Sequence, residues 1–169
     1  MAALVSPVAA AIPIDIYFEG VPTADGGGFN SSNAEIAGLE SQLLAVFDVV
    51  DADTVSFTFT NDVGVASSIH RIYFDDSPEG SGDFPGLDFS TASLTESAGV
   101  SFGLDAPAPP QPAANIFGLS IAFGIDAAGS PNGINADSES LVISVDLDGG
   151  YTTDQIADAV EDGSLAIAF

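Results

Sequence analysis

The sequence is almost free of basic residues. It has 25 aspartates and glutamates but only one arginine, Arg71, and no lysine, so its formal net charge is −24. A surface that binds phosphate groups cannot be built from one arginine, and the composition therefore excludes nucleic acids and anionic membranes as partners. Self-repulsion on this scale disfavours a compact chain unless cations screen it or bind to it. High salt, or divalent ions outside the cell, would supply such cations.

Residue types that carry common chemistry are also scarce. The sequence contains no cysteine, no tryptophan, three tyrosines and one histidine, His70. Without cysteine there are no disulfides, thiolate metal sites or cysteine nucleophiles. His70 has no marked serine partner, and a sugar-cleaving cleft would normally offer more aromatic platforms. We therefore predict that the protein is not an enzyme, with a small secreted hydrolase as the third alternative because paired carboxylates are abundant.

The clearest pattern in the chain is a pair of predicted strands within Asp53–Asp76. Thr54–Thr60 alternates apolar and hydroxyl side chains with a period of two, which is typical of a half-buried strand. A polar, glycine-containing stretch follows, and Ile69–Phe74 forms the second strand. Because the two strands are so close in sequence, we expect them to pair antiparallel.

The rest of the chain shows the same strand-rich pattern. Thr152 and Gln155 have capping-box spacing, which predicts one short helix near the C-terminus that ends at Gly163. We expect a loop over Asp75–Asp88 and further strands over Ile12–Phe18, Leu39–Val50, Val100–Leu104, Phe117–Ile125, Leu141–Leu147 and Ser164–Phe169. This pattern predicts an all-β fold, an antiparallel β-sandwich of jelly-roll or immunoglobulin-like type, as a single domain over residues 19–169.

Residues 1–18 form a separate apolar segment, in which Ile12, Ile14, Ile16 and Phe18 alternate with other residues. One interpretation is the remnant of a secretory signal, and the other is an ordinary apolar strand or tail. As a strand it either closes its own sandwich or adds to the sheet edge of a neighbouring copy, which would build a homopolymer. The sequence has no apolar run of 18 residues or more, so we expect no membrane span.

Acidic turns make calcium the best chemical hypothesis, since hard cations bind carboxylate and carbonyl oxygens. The equal alternative is a set of solvated acidic turns. The candidate ligands form two principal groups and a further one: Asp48, Asp51 and Asp53; Asp75, Asp76, Glu79 and Asp83; and Asp146, Asp148 and Asp154.

Several motifs in a fixed order resemble the exported β-sandwich domains of PEP-CTERM proteins from exopolysaccharide-producing bacteria. They are VSFTFTNDVGVASSIHRIYFDD, GVSF, a proline-rich connector, NGINADSESLVISVDL and TTDQIADAVEDGSLAIAF, and the resemblance covers roughly residues 45–169. The family's C-terminal Pro-Glu-Pro sorting tail is not among these residues. The resemblance implies export to the cell surface or matrix and carries over no catalytic residues.

These observations lead to two functional expectations. The first is a non-enzymatic, secreted structural protein of the cell surface or extracellular matrix, in one form a filament subunit that assembles by N-terminal strand addition and is stabilised by calcium. The alternative is a carbohydrate-binding module that retains exopolysaccharide.

Overall fold

The structure, a computed structural model, describes residues 13–17, 42–62, 64, 66–75, 86–104, 121–129 and 132–168. Within these ranges the chain forms nine strands and one helix. The strands are β1 (Ile14–Tyr17), β2 (Leu43–Val49), β3 (Thr54–Asn61), β4 (Arg71–Asp75), β5 (Leu87–Glu96), β6 (Phe102–Gly103), β7 (Ile121–Ala127), β8 (Ser140–Leu147) and β9 (Ala166–Ala168). The helix α1 (Thr153–Asp162) lies between β8 and β9.

The strands form two sheets, which confirms the prediction of an all-β sandwich with one short helix near the C-terminus. The larger sheet has the order β1-β2-β3-β8-β5, and the smaller sheet has the order β6-β7-β4-β9. Neighbouring strands in the described residues pair antiparallel.

The order of the pairings distinguishes between the two predicted sandwich types. β3 pairs with β8, and β4 pairs with β7, so the second pair is nested inside the first along the chain. In an immunoglobulin domain, by contrast, the corresponding pairs interleave, because strand B pairs with E and strand C with the later strand F. Nested pairing arises when one long hairpin folds over into two sheets, and it favours the jelly-roll alternative.

The expected pairing of the two central strands is wrong, because β3 and β4 lie in different sheets. Their apolar faces meet across the core instead, and the ring centroids of Phe57 and Phe74 are 5.0 Å apart. Phe59 also contacts Phe74, edge to face, at 6.4 Å. Two short strands that each carry large aromatic side chains on one face bury more apolar surface by stacking face to face than by pairing side by side.

The longest strand, β5, was not predicted. Its sequence is LDFSTASLTE, and its register against β8 shifts between Asp88 and Ser93. The shift breaks the alternation of apolar and polar side chains that identifies a strand in a sequence. The predicted loop over Asp75–Asp88 is also wrong at its two ends, which are the parts of it that the structure describes. Asp75 belongs to β4, and Leu87 begins β5.

Within the described residues the remaining predicted elements are confirmed, with ends that differ by a few residues. Helix α1 has Thr152 as its N-cap, Gln155 completes the capping box, and Gly163 ends the helix in the left-handed conformation with φ of 80°. β2 occupies part of Leu39–Val50, and the structure describes the predicted Phe117–Ile125 strand only from residue 121, where β7 begins.

A buried polar cluster fixes the crossing from β3 to β4. Gln42 Nε2 donates to Asn61 Oδ1 at 3.0 Å and to Ser67 Oγ at 2.6 Å. Asn61 Nδ2 donates to the carbonyl oxygen of Ile134 at 3.1 Å, and Ile69 and Ile134 form an isolated antiparallel bridge. These bonds connect Gln42, just before β2, to the loop between β3 and β4. They also connect that loop to the loop between β7 and β8, which contains Ile134.

Candidate functional site

The fold brings together two acidic turns that are far apart in the sequence. β2 and β3 are joined by a turn that contains Asp51 and Asp53, and β8 ends next to this turn because Leu147 N donates to the carbonyl oxygen of Asp53 at 2.8 Å. β5 starts on the other side of β8, where Asp88 lies directly opposite Asp146. We call this region the acidic end of the larger sheet, and it comprises Asp51, Asp53, Asp88, Asp146 and Asp148.

Most carboxylates of the acidic end accept hydrogen bonds from nearby turn or strand atoms. Asp51 Oδ1 accepts from Asp53 N at 2.9 Å, and Asp146 Oδ1 accepts from Thr54 Oγ1 at 3.0 Å. Asp88 Oδ1 accepts from Ser90 N at 3.0 Å. Side chains of this kind stabilise turns by replacing missing backbone acceptors.

The predicted calcium ligands are only partly within the described residues. Asp48 is half-buried on β2, and its Oδ1 accepts from Val49 N at 2.9 Å, whereas Asp75 is buried on β4 in the other sheet. Asp76, Glu79 and Asp83 lie outside the described residues, and Asp154 is exposed in the first turn of α1. Among the residues that the structure describes, no three histidine, aspartate or glutamate side chains form a group that could hold a metal ion. Calcium binding stays a prediction.

The single arginine of the sequence is paired within the fold. Arg71 Nε donates to Asp126 Oδ1 at 2.8 Å across the β4–β7 pair. The hydrogen bond to Asp126 raises the pKa of Arg71, and burial raises the pKa of the neighbouring Tyr73 hydroxyl. Because the one arginine is already paired with Asp126, no lysine or arginine side chain is left to neutralise the other carboxylates.

A shallow groove lies between the edge strand β1 and helix α1. It has a volume of about 550 Å³ and is lined by Ile14, Ile16 and Val160, with Asp15 and Glu161 beside them. Ile14 and Ile16 face Phe47 and Ala45 of β2 by register and pack against the core, so residues 14–17 are part of their own sheet. Ile12 and Phe18, the other two predicted assembly residues, lie outside the described residues.

The outer face of the larger sheet is rich in hydroxyl groups. Register places Thr58, Val142 and Thr95 in one row across β3, β8 and β5, and Ser56, Ser144 and Ser93 in the next row. We call these residues, together with Thr60 and Ser140, the hydroxyl face. None of these residues is charged, but Asp48 of β2 lies directly opposite Ser56, and Asp146 lies opposite Thr54 at the end of the face.

One short motif in the chain bears on nucleophilic catalysis. Gly99–Gly103 matches G-x-S-x-G, with Ser101 in the position of the nucleophile. Ser101 has extended backbone pairing on both sides, since its N–H donates to Asn132 O and its carbonyl accepts from Ala128 N, both at 2.9 Å. A nucleophile elbow instead needs a sharp turn directly after a strand. His70 pairs with the opposite edge of β7, about 10 Å away by strand spacing.

Comparison of the chain with protein-family models, curated proteins and solved structures finds no match. The fold assignment therefore rests on the strand order and register described above, and the resemblance to PEP-CTERM domains stays a prediction. Within the described residues, no helix is long and apolar enough to cross a membrane.

Proposed function

We propose that the protein is a non-enzymatic, secreted structural component of the cell surface or extracellular matrix. External cations, calcium among them, stabilise its sandwich, and copies of the chain assemble with one another. The observation that carries this proposal is the uncompensated acidity of the fold, because the one arginine is already paired with Asp126 in a chain of net charge −24.

The acidic end of the larger sheet supports a role for cations. Asp88 and Asp146 lie directly opposite each other on neighbouring strands, and like charges in this arrangement destabilise a sheet. A divalent cation placed between or near them removes this repulsion. The extracellular space supplies calcium at concentrations that weak, carboxylate-rich sites can use.

The edge strand β1 and the adjacent groove support assembly. Among the described residues β1 pairs on one side, with β2, and its other edge can accept a strand from a neighbouring copy. Such addition uses backbone hydrogen bonds for affinity, and the apolar groove lined by Ile14, Ile16 and Val160 receives side chains of the added strand. A head-to-tail contact of this kind builds an open filament unless the rotation closes a ring.

Negative-stain electron microscopy of the purified protein tests this proposal. We expect polymers in calcium chloride and fewer polymers in sodium chloride of the same ionic strength. Deletion of residues 1–11 should leave a folded, soluble monomer, because this apolar segment is the proposed donor of the added strand. Strictly monomeric protein at high concentration in calcium, or unchanged polymers after the deletion, would contradict it.

A second candidate function is the retention of a neutral exopolysaccharide on the hydroxyl face. The hydroxyl rows of this face favour it, because hydroxyl groups both donate hydrogen bonds to sugar hydroxyls and accept hydrogen bonds from them. Thr58→Glu, at the centre of the face, should abolish binding on a glycan array, whereas Ser138→Glu on an exposed loop should not. Equal binding by both variants, or no binding by the unmodified monomer, would exclude this candidate.

A further inference from the structure

The turn after β8 presents an aspartate side chain to the backbone of the next residue. Asp148 Oδ1 accepts a hydrogen bond from Gly149 N at 2.7 Å, so this nitrogen lies beside the carboxyl carbon of Asp148. Both residues are exposed, and Gly149 has no β-carbon that could hinder the approach. From this contact we infer that Asp148 is a site of spontaneous isoaspartate formation.

The reaction needs no partner other than water. The Gly149 nitrogen attacks the carboxyl carbon of Asp148, a new N–C bond forms, and the hydroxyl group leaves with the amide proton as water. The product is a five-membered succinimide ring. Water then adds to one of its two carbonyl groups, and the ring opens either to aspartate or to isoaspartate, in which the main chain runs through the side-chain carbon.

Proximity decides which aspartates react, since a group held near attack distance gains a large rate advantage. The chain contains a matched comparison, because Asp162–Gly163 is the same dipeptide and is also exposed. Asp162 Oδ1 accepts a hydrogen bond from Ser164 N at 2.8 Å rather than from Gly163 N. Hydrogen bonds from the Ser164 side chain and backbone also lower the pKa of Asp162, which keeps it ionised and a poorer electrophile.

A second comparison isolates the effect of the neighbouring residue. Asp48 Oδ1 accepts from Val49 N at 2.9 Å, which is the same kind of contact as in Asp148–Gly149. Val49, however, is β-branched and is held in strand β2, so its nitrogen cannot move freely towards the carboxyl carbon. We expect Asp148 to react faster than both Asp162 and Asp48.

The modification lengthens the main chain between two backbone hydrogen bonds that connect the turn after β8 to its neighbours. Asp148 N donates to the carbonyl oxygen of Gly86 at the start of β5, at 3.0 Å, and the Asp148 carbonyl accepts from Tyr151 N at 3.1 Å just before helix α1. An isoaspartate adds one methylene group to the main chain between these two bonds. We therefore expect aged protein to lose protection from hydrogen exchange at Tyr151.

Peptide mapping of protein aged by warm incubation tests the inference. Isoaspartate is measured by enzymatic methylation and located on chymotryptic peptides, and it leaves the mass of the peptide unchanged. We expect at least about fivefold more isoaspartate at Asp148 than at Asp162 or Asp48. The rate should be higher at about pH 5 than at about pH 8, because a neutral carboxyl group loses water more readily than a carboxylate.

Gly149→Ala is the matched variant, since an added β-carbon at this position meets no atom within 4 Å. The variant should fold normally and form several-fold less isoaspartate at Asp148, because the methyl group hinders attack by the nitrogen. Comparable isoaspartate at Asp148 and Asp162, or an unchanged rate in the folded Gly149→Ala variant, would overturn the inference.

Discussion

At the scale of single residues, Phe74 lies at the centre of the aromatic part of the buried core. Phe74 is fully buried and contacts four other rings, those of Phe57, Phe59, Phe89 and Phe123. We expect Phe74→Ala to lower the free energy of unfolding by about 3–5 kcal/mol, through lost burial and the cavity it leaves. Val50→Ala, at a side chain that is 58% exposed, should change it by less than about 0.5 kcal/mol. Similar values for the two variants in urea unfolding would contradict this packing.

One carboxylate at the end of helix α1 contributes to the acid sensitivity of the fold. Hydrogen bonds from the Ser164 side chain and backbone lower the pKa of Asp162. A pKa lowered by folding stabilises the protein above the unfolded pKa, and this contribution is lost as the pH falls through the folded pKa. Ser164→Ala should therefore raise the pKa of Asp162 towards its ordinary range in a carboxyl NMR titration, while Ser93→Ala on β5 should not. An unchanged pKa in Ser164→Ala would exclude the hydroxyl as the cause.

At the scale of elements, the sequence predicts strands better than it predicts their partners. Strict alternation located β3 and β8, and the capping box located α1. β5 was missed because its register shift removes the alternation. The pairing of β3 with β4 was predicted wrongly, because nearness in sequence says nothing about whether two aromatic faces meet side by side or across a core. The acidic end could not be predicted either, since it depends on β8 inserting between β3 and β5.

The crossing loops between the sheets depend on one close backbone approach. A β-carbon added to Gly133 would clash with the carbonyl oxygen of Ile69, where the Ile69–Ile134 bridge forms. Gly133→Ala must therefore shift the bridge, and we expect a lower melting temperature and faster hydrogen exchange at Ile69 and Ile134. Gly149→Ala is the control, because its β-carbon is unobstructed. Equal melting temperatures for the two variants would show that the loops are not packed this closely.

At the scale of the whole molecule, the described residues form a sandwich in a chain of net charge −24, and the one arginine is paired with Asp126. We propose that its stability depends on ions from outside the chain. Asp146→Asn removes one member of the opposed Asp88–Asp146 pair, and we expect it to raise the melting temperature in low salt and to reduce the gain from added calcium. A lower melting temperature of this variant in low salt would argue against repulsion at the acidic end.

The dependence on external cations is tested most directly by the melting temperature as a function of salt. Between very low ionic strength and about 0.15 M sodium chloride the screening length falls to about 8 Å, so repulsion between exposed carboxylates farther apart than this is largely screened. We predict that the melting temperature rises steadily over this range. We also predict that it rises further when calcium replaces sodium at constant ionic strength, and that a chelator reverses this second rise. A melting temperature that stays constant from very low salt to about 0.15 M would contradict the proposal that external cations stabilise the fold.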